Sequence, residues 1–297
     1  MISFQGMDTL FLAHFLNGFL MIAMPIGLAI YLTRKFKLGW RLFWIGAATF
    51  VLSQVGHIPF NWAATVLLNR TPLVIWPQAD QLVFNAIFLG LSAGLWEEFF
   101  RYGMYRWWAK DARSWGKGLL AGAGHGGIEA IILGALVLYG FIQLAILRNA
   151  DASQLAQAVG ADKVALAQAQ ITAYWSAPWH ISILGAVERL FAIPFHLALS
   201  LLVLQAFTRR QGWWVWLAVV FHALVNGLAV YLLGIGLSAY AIEGVVGLAA
   251  ILAIILIFAL RQPEPQADHE PAPAPMPGFT PEPVEVTQES LEKTRYQ

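Results

Sequence analysis

Seven separate stretches of this chain are apolar for about twenty residues or more, the length needed to cross bilayer hydrocarbon. They cover residues 9–32, 40–68, 83–108, 118–147, 178–207, 213–233 and 237–260. In lipid a backbone can satisfy its hydrogen bonds only as a helix or a closed barrel, and uninterrupted apolar runs of this length suit helices. The predicted fold is therefore all-α: a polytopic membrane protein of about seven transmembrane helices. Hydrophobic residues make up 59% of the 297-residue chain, against roughly 45–50% in soluble domains. A soluble globular fold cannot hide that surface. A net charge of +1 without a long basic run excludes a nucleic-acid partner. The absence of cysteine excludes disulfides, Cys-ligated metals and thiol catalysis.

Charge divides the chain into two predicted domains. Residues 1–261 carry 16 Lys/Arg against 10 Asp/Glu, and residues 262–297 carry 2 against 7. The latter segment also holds 8 of the 14 prolines. It cannot bury enough apolar area to offset chain entropy, so a disordered Pro/Glu-rich cytoplasmic tail is expected after a multi-pass transmembrane domain. Basic residues crowd alternate loops: Arg34, Lys35, Lys37 and Arg41, then Arg106, Lys110, Arg113 and Lys117, then Arg209 and Arg210. The positive-inside rule places the N-terminus outside the cell membrane and the C-terminus in the cytoplasm. The long fourth loop, residues 150–176, is Ala/Gln-rich with Leu155, Val159, Val164 and Leu166 at helix-like spacing. It predicts one or two short surface helices capped by Asp151 or Ser153, acting as a connector or as a lid.

Ionisable residues inside spans are costly and usually functional or paired. Here they cluster. The third span holds Glu97, Glu98 and Arg101; the fourth His125 and Glu129; the fifth Glu188, Arg189 and His196; the sixth His222 and Asn226. Counted from the basic-loop ends, Glu97 lies roughly 16 Å deep, His125 roughly 10 Å, His196 roughly 16 Å and His222 roughly 13 Å. Four helices of alternating direction thus bring a carboxylate and three imidazoles to one layer, as a buried reaction centre or metal site requires. Arg101 follows Glu97 by four residues and Glu98 by three, so it can pair with either. A carboxylate beside a water can act as general base. Glu188 and Arg189 read as a supporting pair. His57, with Gln54 and Asn61 on neighbouring turns, lies outside the layer and reads as structural or supporting; His14, His180 and His269 read as interface or tail residues. The same layer also suits a transporter or channel, or a non-catalytic scaffold that recruits a partner.

At these residues the chain resembles the YhfC family of intramembrane peptidases, one of a group of glutamic intramembrane proteases. That group includes the CAAX-prenyl-protease/bacteriocin-processing enzymes, the PrsW proteases and the scaffold subunit of gamma-secretase. The likeness spans roughly residues 10–235. A Glu-Glu pair followed by Arg matches Glu97, Glu98 and Arg101; a helix-borne His matches His125 in GHGGIE; Glu188-Arg189 with Phe195-His196 matches a third motif loosely; His-x-x-x-Asn matches His222 and Asn226. The resemblance implies an endopeptidase acting on membrane-embedded or lipid-linked polypeptides, without a cofactor. Glu97 would activate a water positioned by His125, and His222 and Asn226 would stabilise the oxyanion. Arg101, Glu129, Glu188, Arg189 and His196 would support them. Arg101 falls three residues after Glu98, where the CAAX-type pattern often has one more, so both glutamates stay candidates for the base. Some relatives are labelled metalloproteases, and Glu97, His125, His196 and His222 could alternatively hold zinc.

Overall fold

In the computed structural model, which describes residues 9–262, each apolar stretch is a helix. In chain order the helices are α1 (Thr9–Lys35), α2 (Arg41–Leu68), α3 (Gln78–Gly103), α4 (Trp115–Ile146), α5 (Ala152–Val159), α6 (Val164–Ser176), α7 (Trp179–Ser182), α8 (Leu184–Thr208), α9 (Trp213–Gly234) and α10 (Ala239–Ala259). Seven are long and apolar enough to cross a membrane: α1–α4 and α8–α10, with α7 running into α8. They agree with the seven expected spans, and no strand occurs among the described residues. The tail expected over residues 262–297 lies, but for Gln262, outside the described residues.

In lipid both faces of a helix are apolar, so hydrophobic contrast cannot orient it. On α10, Ala250, Ala253 and Ile257 turn inward, while Leu248, Ile251, Ile255 and Phe258 stay exposed. What distinguishes the packed face is small size. Gly90 and Gly94 of α3 sit one turn apart against α9, where a Cβ on Gly90 would meet Gly227 Cα at 2.9 Å. Along α4, Gly118, Gly122 and Gly126 face α8, and a Cβ on Gly122 would lie 3.1 Å from the His196 carbonyl oxygen. Such i,i+4 stripes let backbones approach closely, which van der Waals packing in lipid rewards.

These contacts close a ring. α2 packs on α3, α3 on α9, α9 on α8, α8 on α4, and α4 on α2. α1 lies outside the ring on α4, α7 and α8, and α10 lies on α8 and α9. Helix α8 is the most enclosed span, with every residue from Leu197 to Leu204 buried. Pro194, within it, lacks the N–H that would bond the Leu190 carbonyl one turn before His196.

At the end with the basic loops, α3 widens into a π-helical turn, Met104–Trp108, closed by the Ala109 N–H on the Met104 carbonyl at 2.9 Å. Arg113 caps it by donating to the Tyr105 carbonyl at 2.8 Å. Arg41 pairs with Asp111 to tie α2 to the same turn. The opposite end carries α5 and α6. Asp151 forms a capping box with Gln154, as its position predicts. Hydrogen bonds from the Gln154 backbone and from Ser153 hold its carboxyl below the usual aspartate range. His14 of α1 stacks on Tyr174 with ring centres 3.8 Å apart. Burial pushes the Tyr174 phenol up to about 12. Trp175 donates to the Leu144 carbonyl at 3.0 Å, and Asn17 accepts the Ala186 N–H at 2.7 Å. The last hairpin turns at Gly236, whose φ of 78° favours glycine.

Candidate active site

Each of the five ring helices contributes polar side chains to its centre. Glu97 and Glu98 of α3 are both buried, with relative exposures of 6% and 0%. Adjacent residues on a helix point about 100° apart, so the two carboxylates meet different partners. Arg101 Nη1 donates to both Glu98 oxygens at 2.6 Å. The Nδ1–H of His222, from α9, adds a third hydrogen bond to Glu98 Oε1 at 2.8 Å. Glu98 is therefore saturated by fixed donors.

Glu97 is held more lightly. His125 Nε2, from α4, lies 3.2 Å from its Oε2, and the Gln54 amide of α2 donates to its Oε1 at 3.0 Å. His222 Nε2 stands 3.9 Å from Oε2, too far for a hydrogen bond. His125 Nδ1 is enclosed without a partner. Glu97 Oε2 thus has two imidazole nitrogens beside it, His125 Nε2 and His222 Nε2, and is not saturated by fixed donors as Glu98 is.

The third imidazole links this centre to a second cluster. His196 Nδ1 accepts from Arg101 Nη2 at 3.2 Å, and its Nε2 lies 2.8 Å from Glu129 Oε2. Because guanidinium only donates, Nε2 carries the ring proton when the imidazole is neutral. Arg189 bonds Glu129 Oε1 at 2.6 Å and pairs with Glu188. Glu243 of α10, absent from the sequence-based candidates, lies near Glu188 and Arg189. Of the sequence-predicted residues, Glu98, Arg101, Glu129, Glu188, Arg189, His196 and His222 join one bonded network, and Glu97 with His125 forms a pair beside it. Asn226, one turn beyond His222, is half-buried and makes none of these hydrogen bonds.

Sequence reasoning assigned the centre to four spans and set Gln54, His57 and Asn61 of the second outside it. His57, set aside by depth, is the partner of Gln54: His57 Nδ1 lies 3.2 Å from Gln54 Oε1. Its Nε2 is 2.9 Å from Asn61 Nδ2 and 3.2 Å from Ser92 Oγ. The available signal was the i, i+3, i+7 placement of Gln54, His57 and Asn61, one face of an otherwise apolar helix.

The donor set fits a metal ion. One atom each of Glu97, His125 and His196 lie within 4.8 Å of one another. Tetrahedral zinc spaces its ligand atoms about 3.4 Å apart, so a modest inward shift of these side chains would complete three ligands and leave one position open. The Glu129–His196 contact is the carboxylate–imidazole pairing that orients metal-bound histidines. Arg101 beside His196 Nδ1 is the opposing feature, because its charge repels a cation.

Residues 20–247, which contain all of these side chains but none of the tail, match the profile of a family described as YhfC intramembrane metalloprotease. The chain belongs to the YhfC family. It is 34% identical over 246 residues to the uncharacterized membrane protein YhfC of Bacillus subtilis (strain 168), covering 82% of this chain and 93% of that relative. No solved structure matches the chain. The YhfC match takes in every helix of the ring and so the whole polar centre.

Proposed function

We propose that the protein is an intramembrane endopeptidase of the cell membrane, with Glu97 as the general base. The observation that supports this most directly is the unsaturated Glu97 carboxylate, buried yet flanked by His125 at 3.2 Å and His222 at 3.9 Å. The substrate class is a membrane-embedded or lipid-linked polypeptide. Water held by Glu97 and His125 attacks the peptide carbonyl carbon, and Glu97 takes its proton. His222, whose Nδ1–H is fixed by Glu98, turns Nε2 toward the same space and in its protonated form donates to the developing oxyanion. Asn226 is the nearest further amide donor on α9. Glu97 then passes the proton to the leaving nitrogen as the C–N bond breaks, which yields a carboxylic acid and an amine, and the acid's proton moves to the amine. With the N-terminus outside, the centre lies in the cytoplasmic half of the bilayer and cleavage occurs there.

The YhfC family description and the Glu97, His125 and His196 donors favour a second reading, in which a divalent ion occupies that triad. A bound ion would supply Lewis-acid polarisation of the carbonyl and a more acidic water. In that case His222 and Arg101 still orient Glu98, and Glu129 still holds His196.

The test measures cleavage of membrane-protein substrates by reconstituted protein. Glu97→Gln, Glu98→Ala and His125→Ala are each expected to abolish cleavage, with Glu97→Gln remaining folded; full activity in all three would reject the proposal. Metal analysis of the same preparations separates the two readings. Stoichiometric zinc lost in His125→Ala and His196→Ala supports the metal mechanism, and chelation without effect on activity opposes it.

A further inference from the structure

The face of α2 that reaches Glu97 does not stop there. Asn61, His57 and Gln54 form a relay with a single direction. The Asn61 amide donates to His57 Nε2, the His57 Nδ1–H donates to Gln54 Oε1, and the Gln54 amide donates to Glu97 Oε1. All three side chains are half-buried, while their neighbours Val55, Ile58 and Trp62 are 63–70% exposed on the outer surface of the bundle. Polar groups at the edge of an apolar surface are expensive in lipid. At the end of the relay, Asn61 Oδ1 is enclosed without a donor.

A second strip runs beside the first. Phe84, Phe88 and Trp96 recur along one face of α3. Phe60 of α2 meets two of them, with ring centres 6.1 Å from Phe88 and 5.9 Å from Trp96. The Trp96 ring lies against Gly56, where any side chain would collide with it. One strip offers amide and imidazole groups, the other aromatic faces, and both lead along the α2–α3 seam to the candidate base.

We infer that this seam is the docking track for an extended segment of a membrane-embedded polypeptide substrate. The inference rests on the hydrolase reading and names the substrate site that belongs to it. A helix must unwind before its peptide bond can be attacked, and the freed N–H groups need acceptors within the lipid. Asn61 Oδ1 and the second lone pair of Gln54 Oε1 are such acceptors. Gln54 and Asn61 are seven residues apart, about 10 Å along the helix, which spans about three residues of extended chain. Substrate side chains lie on Phe60, Phe88 and Trp96, and the strand ends with a carbonyl beside Glu97. Neutral amides suit this role because they pair with peptide groups without burying a charge.

Photocrosslinking tests the track without depending on turnover. The protein has no cysteine, so a benzophenone maleimide can be placed at one position: Ile58→Cys, exposed beside the polar strip of α2, or Leu248→Cys on the exposed face of α10. Both are made in the Glu97→Gln background. The probe is a single-span Leu/Ala peptide of about 20 apolar residues with a central Gly-Ser-Gly break, in phosphatidylcholine/phosphatidylglycerol vesicles. Labelling is expected to be several-fold stronger from Ile58→Cys than from Leu248→Cys. Gln54→Ala is expected to lower labelling from Ile58→Cys roughly two- to tenfold, the effect of one hydrogen bond. Equal labelling from both positions overturns the track, even where the wild type cleaves and Glu97→Gln does not. Seam-specific labelling by a protein that hydrolyses nothing preserves the track and removes the hydrolase reading.

Discussion

Glu97 and Glu98 are chain neighbours whose surroundings differ in what they leave free. Glu98 accepts three hydrogen bonds from Arg101 and His222, and the Glu98–Arg101 pair is wholly enclosed. Removing one member of such a pair strands the other charge. Glu98→Ala is expected to cost about 3–5 kcal/mol of stability, read as a lowered unfolding midpoint in detergent. Glu97→Gln keeps a polar group of the same shape beside His125 and Gln54 and is expected to leave that midpoint nearly unchanged. Equal destabilisation by both would contradict the division between a fixed charge and a free one. The residues of this network were legible in the sequence because ionisable groups are rare in spans. Which carboxylate Arg101 chooses was not, since i,i+3 and i,i+4 partners are equally within reach of its long side chain.

The position of the helices depends on glycine more than on hydrophobic pattern. Gly126 faces His196, and a Cβ there would lie 2.6 Å from the His196 Cβ. Gly126→Ala is expected to push α4 and α8 apart, cost about 1–3 kcal/mol by overpacking, and weaken the contacts of His196 with Arg101 and Glu129. Thermal unfolding together with the His196 imidazole resonances would show both effects; an unchanged spectrum would place the strain elsewhere. The span boundaries were readable because each run of apolar residues stands between charged or turn-forming segments. The rotation of each helix was not readable, because lipid and protein core are equally apolar and periodicity carries little contrast. That is why Gln54 was left outside the centre: its contact with Glu97 depends on how α2 turns toward α3, which neither sequence segment encodes alone.

At the scale of the whole molecule, the five-helix ring gives the centre one end with the basic loops and an opposite end where α6 packs beside α1 and α4. The positive-inside rule predicts which way that axis points, and the cysteine-free chain allows a direct test. In right-side-out vesicles a membrane-impermeant maleimide is expected to label Gln157→Cys on α5 at once, and Lys110→Cys only after permeabilisation. The reverse order would invert the assigned topology and move the centre to the outer leaflet.

Helix α1 does not pack chiefly on the helix that follows it. Its buried Asn17 is matched by the Ala186 N–H, 169 residues later, and His14 by Tyr174, 160 residues later. At a synthesis rate of about 5–20 residues per second, that interval lasts roughly ten to thirty seconds. During this time the first segment lacks the Ala186 N–H that Asn17 accepts and the Tyr174 contact of His14. The packing of α1 is therefore completed only by distant sequence, and truncation before α8 would leave α1 on α4 without the Ala186 N–H that Asn17 accepts.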